Sequence, residues 1–294
     1  MPELPEVLLY LHALGPRVVG HRLEKARVRS VSLVRTFDPP LSAVEGRLVT
    51  GLRHVGKRIV LELEDELFLS IHPMIAGRFR WKERGAKVPG KIGLAAFDFD
   101  HGTLLLTEAS TKKRAALHVV RGEAALAELD RGGIDPLASS DHALRDALTR
   151  ENHTLKRALT DPRLLGGIGN AHSDEILWRA MLSPLQRTAQ LDDDETERLI
   201  DAIRASLREW IDRLREEAGD AFPEKVSAFH PAMAVHGKFR EPCPRCGTSI
   251  QRIVHGDHET NYCPKCQTGG RVLKDRALSR LLGEDWPRSV EELE

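Results

Sequence analysis

The sequence predicts an α+β protein of two principal domains, and three observations carry that reading. Short alternating strands fill residues 1–124, helical periodicity takes over from about Ala125, and all four cysteines fall in the last fifth of the chain. At 294 residues there is room for two independent cores, and 41% hydrophobic with 30% charged residues describes globular material, not a disordered or fibrous chain. No apolar run approaches a membrane span, and the acidic residues Glu3 and Glu6 break the pattern of a secretory signal, so an intracellular protein is expected.

The chain opens MPELPEVLLYL. Proline in a first helical turn loses no hydrogen bond, and glutamate there complements the helix dipole, so a helix is predicted over about Pro5 to Leu14. Period-two segments follow. KRIVLELEDELFLSIHP reads as two strands joined by an acidic turn near Glu64–Glu66, and KIGLAAFDFDHGTLLLTE as a hairpin turning at Asp100, His101 and Gly102. RLEKARVRSVSLV and AALHVV supply further strands. Strands so short and closely spaced imply a sandwich or barrel with the opening helix laid against it.

In the helical part, TLKRALT is a short helix, Asp161–Pro162 a break, and a glycine-rich turn leads into a helix from about Asn170 that stops before Pro184. A long amphipathic helix follows, with Ile200, Ile203, Leu207, Trp210 or Ile211, and Leu214 on one face. Beyond the last cysteine, QTGGRVLKDRALSRLLGEDWPRSVEELE predicts an amphipathic tail helix that docks through Leu273, Leu278, Leu281 and Leu282.

Cys243, Cys246, Cys263 and Cys266 form C-x2-C-x16-C-x2-C. A β-hairpin between the pairs would gather four thiolates tetrahedrally, so one structural Zn2+ is expected; His255 and His258 read as solvated loop residues. Gly166, Gly167, Gly169 and Asn170 lead into a helix N-terminus, where backbone N–H groups can meet a phosphate. Asn170 either caps that helix or bonds the phosphate, and Lys156 would add a charge to the same anion. Net charge is zero, yet Lys238, Arg240, Arg245, Arg252, Lys265 and Arg271 crowd the cysteines while Asp192, Asp193, Asp194, Glu195 and Glu197 crowd an earlier helix start. A local basic face is compatible with the neutral total.

Taken together, PELPEV, Lys57 in RHVGKRIVLEL, GGIGNAHSDEIL and the four cysteines resemble the formamidopyrimidine-DNA glycosylase and endonuclease VIII family, over nearly the whole chain from Pro2 to Cys266. The resemblance implies an N-terminal β-sandwich catalytic domain over 1–124, a helix-two-turns-helix DNA-binding domain over 125–233, a zinc finger over 234–270 and a helical tail over 271–294. It implies base-excision repair on damaged DNA, held by a monomer in the cleft between the domains. Removal of Met1 would leave Pro2 a secondary amine, and an α-amino group of pKa about 8 is partly neutral at physiological pH. By resemblance, Pro2 attacks C1′ of an oxidised or ring-opened nucleotide, Glu3 is general acid and base at the sugar, Glu6 positions water, and Lys57 contacts the DNA and the reacting centre. His72 falls on the family's strand-end histidine.

The match departs from the family in the elements that read the lesion. HPMIAGR stands where HLGMSGR is common, so Ile75 occupies the wedge position and Met74 falls one residue early; either could fill the gap left by a flipped base. The loop EASTKKRAA carries Lys112, Lys113 and Arg114 in place of an aromatic wedge, His258 replaces a DNA-contacting arginine, and His172 replaces a frequent tyrosine. Other readings stand beside this one: a lyase acting only on abasic sites, a catalytically inactive damage-binding protein, or an unrelated zinc-ribbon factor.

Overall fold

The computed structural model describes the chain except at residues 228, 257, 276–278, 282, 284–285 and 294. It divides into two compact units, Met1–Arg131 with Trp210–Ser227, and Gly132–Glu209 with Ala228–Glu294.

In the first unit, α1 spans Leu4–Val18, a turn longer than predicted. Val18, one turn past Leu14, is fully buried, and that burial carries the helix through Pro16; the Arg17 guanidinium donates to the Ala13 carbonyl at 2.6 Å. Strands β1 (Arg22–Leu23), β3 (Arg47–Val55), β4 (Arg58–Leu63), β5 (Leu67–His72) and β9 (Ala116–Arg121) form a five-stranded sheet in the order β1-β3-β4-β5-β9. A second sheet, in the order β2-β7-β8-β6, joins β2 (Lys25–Val28), β7 (Gly93–Phe99), β8 (Gly102–Glu108) and β6 (Gly77–Lys82), and every pairing in both sheets is antiparallel. The acidic turn falls at residues 64–66 as expected, with Asp65 and Glu66 both in left-handed backbone. The β7–β8 turn is Asp100–His101, because Gly102 already pairs with Phe99.

SVSLV does not extend a strand: Val31–Leu33 is a 3-10 turn. The Leu33 N–H closes on the Ser30 carbonyl at 3.0 Å, and the Ser30 and Ser32 hydroxyls pair at 3.0 Å, local bonds that replace a ladder. Every residue of β7 and β8 is buried, so both faces of these two strands are covered. Leu61, Leu69, Phe79, Phe97, Leu104, Leu106 and Leu117 are fully buried, each contributing about 1.5–3 kcal/mol relative to exposure. Helix α1 packs on β3 and β4, which fixes the chain's leading residues against the five-stranded sheet. Helix α2 (Glu123–Ala127) closes the strand-rich segment.

The second unit holds α3 (Asp141–Thr149), α4 (Leu155–Thr160), α5 (Asn170–Ala180) and most of α6 (Asp193–Ala218), followed by the hairpin β10 (Gln251–His255) and β11 (His258–Tyr262) and the short α7 (Pro264–Thr268). The predicted apolar face of α6 is buried from Ile200 to Leu214. The tail departs from a single amphipathic helix. Its ends pair with each other, Arg271 against Ser289, with Val272 donating to Arg288 and Val290 to Gly270, each at 2.9 Å. Leu273 packs with Ile253 and Tyr262, whereas Leu281 is 80% exposed; Leu278 and Leu282 lie outside the described residues. No described helix is long and apolar enough to cross a membrane.

Candidate active site and nucleic-acid interface

Pro2 and Glu3 precede α1 directly, and both are buried. Glu3 is the N-cap and Glu6 the third helical residue, and the Glu6 carboxylate accepts the Glu3 backbone N–H at 2.7 Å. This reciprocal arrangement fixes the entry of the helix, so Glu6 has a structural bond in addition to any water it positions. The leading amine in the structure is that of Met1. Burial pushes its pKa below the ordinary α-amino value; Arg78 and Lys57 lower it further, while Glu3 and Glu6 oppose them. Lys57 occupies the two-residue turn between β3 and β4, where Gly56 takes φ +55° and Val55 pairs with Arg58. Burial depresses its ammonium, and Glu3 and Glu6 hold it up. The Met1 amine next to Pro2 thus shares one electrostatic neighbourhood with Glu3, Glu6 and Lys57, to which the structure adds Arg78.

His72 ends β5. Burial, then Arg58, Lys57 and His118, push its pKa down to about 4, and its Nδ1 accepts the Met74 N–H at 3.0 Å. The imidazole is therefore neutral at pH 7 with its proton on Nε2. The Arg58 guanidinium stands 3.4 Å from His118 Nδ1. Arg58 opens β4 and His118 lies on β9, and the pairing of β5 with both strands is what brings them to His72.

The β5–β6 loop separates the two apolar candidates. Met74 has φ +56° and is half-buried, while Ile75 is 47% exposed, which makes Ile75 the side chain presented outward. Arg78 Nη1 donates to the carbonyls of Gly77 (2.7 Å) and Ile75 (3.2 Å), bracing this loop. The loop after β8 is organised by Glu108, a residue that sequence reasoning passed over. Its buried carboxylate accepts N–H groups from Arg114 at 3.0 Å and Ala115 at 3.2 Å, and the Lys113 ammonium donates to its carbonyl. Lys112 and Arg114 remain exposed.

In the second unit, the cap of α5 is Gly169 and Asn170 is its first helical residue, so Asn170 does not cap the helix. Its side-chain amide donates to the Glu259 carbonyl at 2.9 Å, tying the glycine turn to β11. Lys156 is not a loose surface cation either. Its ammonium donates to Asp174 Oδ1 at 2.5 Å and to the Asn170 carbonyl at 2.7 Å. The fully buried Asp174 also accepts from His236 Nδ1 at 2.8 Å and the Asn261 N–H at 3.1 Å, while Glu175 accepts the backbone N–H groups of Ala234, Val235 and His236. This polar network lies beneath the glycine turn and was not apparent from spacing alone.

The four cysteine sulfurs lie within 4.8 Å of one another, with Cys243–Cys266 at 4.0 Å and Cys246–Cys263 at 3.5 Å. Tetrahedral zinc with Zn–S of about 2.3 Å places its sulfurs about 3.8 Å apart, so the donor set and spacing fit Zn2+. The Trp178 indole N–H donates to Cys243 sulfur and the Cys266 N–H to Cys263 sulfur, both at 3.4 Å. Arg245 stacks on Trp178 at 4.3 Å. His258 is no ligand in this cluster; it is exposed and opens β11, paired with His255 across the hairpin.

Three family models match in chain order: the formamidopyrimidine-DNA glycosylase N-terminal domain over residues 1–116, the H2TH domain of the same enzymes over 133–218, and the zinc finger found in FPG and IleRS over 240–269. Curated relatives include the formamidopyrimidine-DNA glycosylase of Heliobacterium modesticaldum, 34% identical across 91% of this chain and 100% of that protein, and that of a Roseiflexus species, 32% identical with the same coverage. Among solved structures, the Lactococcus lactis Fpg in complex with abasic-site DNA matches with a TM-score of 0.79 at 25% identity, over 90% of this chain and 99% of that one. The same bacterium's wild-type enzyme with N7-benzyl-Fapy-dG DNA also matches at 0.79 and 25% identity, over 91% and 100%. With its three modules in order and relatives of this identity spanning its length, the chain belongs to the formamidopyrimidine-DNA glycosylase family.

Proposed function

We propose that this base-excision repair DNA glycosylase, with its associated abasic-site lyase activity, works on oxidised or ring-opened bases through the amine of Pro2. The observation that carries the reading is the cluster of a shielded leading amine, Glu3 and Lys57 in one buried neighbourhood. Once Met1 is removed, the Pro2 nitrogen becomes a secondary amine in surroundings that disfavour its protonation. Its lone pair forms a bond to C1′ as the base departs with the glycosidic electrons, and the N–H proton shed by the amine is balanced by the proton the base takes up. Glu3 protonates the sugar ring oxygen as the ring opens. The iminium that results needs no further proton to act as an electron sink, so a C2′ proton is lost and the 3′ phosphate is expelled. Lys57 supplies positive charge beside the reacting nucleotide.

In the same reading Ile75, with Met74 beneath it, fills the space of the flipped nucleotide, and Lys112, Lys113, Arg114 and His258 meet the DNA backbone. Asn170 and Lys156 position the glycine turn for phosphate. Bound at the four cysteines, Zn2+ cross-links the finger. The segments 1–124, 125–233, 234–270 and 271–294 act as catalytic, DNA-binding, finger and bracing modules of a monomer working on chromosomal DNA in the cytoplasm.

The test is borohydride reduction of the mature protein mixed with lesion-bearing or abasic duplexes. A covalent adduct at Pro2, mapped by peptide mass, is expected with both. Trapping elsewhere, or unchanged turnover by protein that keeps Met1, overturns the reading.

A further inference from the structure

Away from the residues just described, His21, Asp100 and His101 bring ligand atoms to within 4.8 Å of one another. Asp100 and His101 are the β7–β8 turn, and His21 lies between α1 and β1. His21 Nδ1 stands 2.9 Å and His101 Nδ1 2.6 Å from the same oxygen, Asp100 Oδ1, and the two imidazole centroids are 4.2 Å apart. As ion pairs these contacts are exposed and contribute little. As donors, two imidazole nitrogens and a carboxylate oxygen converge on one point, the set a single cation would take. With metal–ligand bonds of about 2.0–2.2 Å, neighbouring donors of a six-coordinate ion are about 2.9 Å apart, close to the two histidine–aspartate distances.

The three side chains stand on a fixed frame. Gly102 lies flush under Trp81, where a Cβ would come within 2.2 Å of the indole, and Trp81 packs on Phe99 and on His101. The His21 N–H is bonded to the Val18 carbonyl at 3.1 Å, and its carbonyl accepts the Val49 N–H at 2.9 Å. The ligand side chains are 33% (His21), 59% (Asp100) and 40% (His101) exposed, leaving coordination positions open to water.

The geometry assigns to His21, Asp100 and His101 a second metal site, distinct from the four-cysteine cluster, for a late first-row divalent ion. Imidazole and carboxylate donors select that class over calcium or magnesium. An ion here clips the chain just after α1 to the β7–β8 turn, steadying the helix whose other end presents Glu3. The assignment does not depend on how Pro2 reacts.

The test is calorimetric titration of Co2+ into zinc-loaded full-length protein, with His21→Ala, His101→Ala and Asp100→Asn compared after circular dichroism shows parental folding. One Co2+ per chain beyond the zinc is expected, with affinity at least tenfold weaker in each variant. No binding beyond the zinc overturns the assignment, as does binding that all three variants retain. Zinc release with thiolate-to-cobalt absorption, unaccompanied by an extra equivalent, overturns it as well.

Discussion

His72 and Lys57 show how burial sets chemistry at single residues. His72 titrates near 6.5 when unfolded and at about 4 in the folded protein, so the native state resists a proton that the unfolded chain accepts. Its contribution to stability is complete above pH 6.5 and is lost as pH falls from there towards 4. Denaturant midpoints measured across that window should decline in the parent and decline less in His72→Gln. Lys57 lowers the basicity of the Met1 amine and, in the proposed mechanism, of the Pro2 amine that succeeds it, so Lys57→Ala should move the acidic limb of kcat/KM to higher pH while reducing its plateau about 10²-fold. A pH profile on an abasic duplex reads both effects. At this scale Pro2, Glu3 and Lys57 were readable because short motifs surround them. Glu108 was not, since its worth lies in N–H groups six and seven residues later, nor was the partner of Lys156, because Asp174 is eighteen residues away.

Among elements, turns were read more surely than strand interiors. The acidic turn and the Asp100–His101 turn stood out by composition, whereas β3, with Gly51 at an irregular register, has little alternation, and β6 alternates Phe79 and Trp81 with three cations over only six residues. Gly77 opens β6, and a Cβ there would lie 2.1 Å from the Pro73 carbonyl oxygen. Gly77→Ala must therefore shift the backbone that presents Ile75. A displacement of about 1 Å predicts lesion excision reduced about 10²-fold. Cleavage of a preformed abasic site should suffer much less, and parallel assays on the two substrates check this. In the finger, burial raises the Cys263 and Cys266 thiols, so metal must displace protons to bind. Acid or a chelator should release the zinc, and Cys266→Ser should abolish DNA binding while the first unit's circular dichroism persists. The tail's double-back was hidden because its closing bonds are backbone to backbone, at Gly270, Val272, Arg288 and Val290.

For the whole molecule, a net charge of zero gave no hint of a polyanionic partner, and only the order of its motifs did. Cations are nonetheless concentrated in the first unit: after burial, Arg58 and Lys57 are what depress His72, and Arg58 with Arg35 what depress His118. Binding to duplex DNA should thus weaken steeply with salt despite the neutral total, log K falling by about 0.9 per phosphate neutralised for each decade of salt. Arg114→Ala should make that slope shallower by about one, measured by fluorescence anisotropy between 50 and 200 mM salt on the scale of such contacts.

The shielding of the chain's first nitrogen has a practical corollary. Reagents such as cyanate attack only unprotonated amines, so near neutrality this position will be carbamoylated ahead of the ordinary surface lysines, whose ammonium groups titrate near 10.4. The added mass falls on Met1 wherever that residue is retained, so peptide mapping would count the molecules in which Pro2 is still covered.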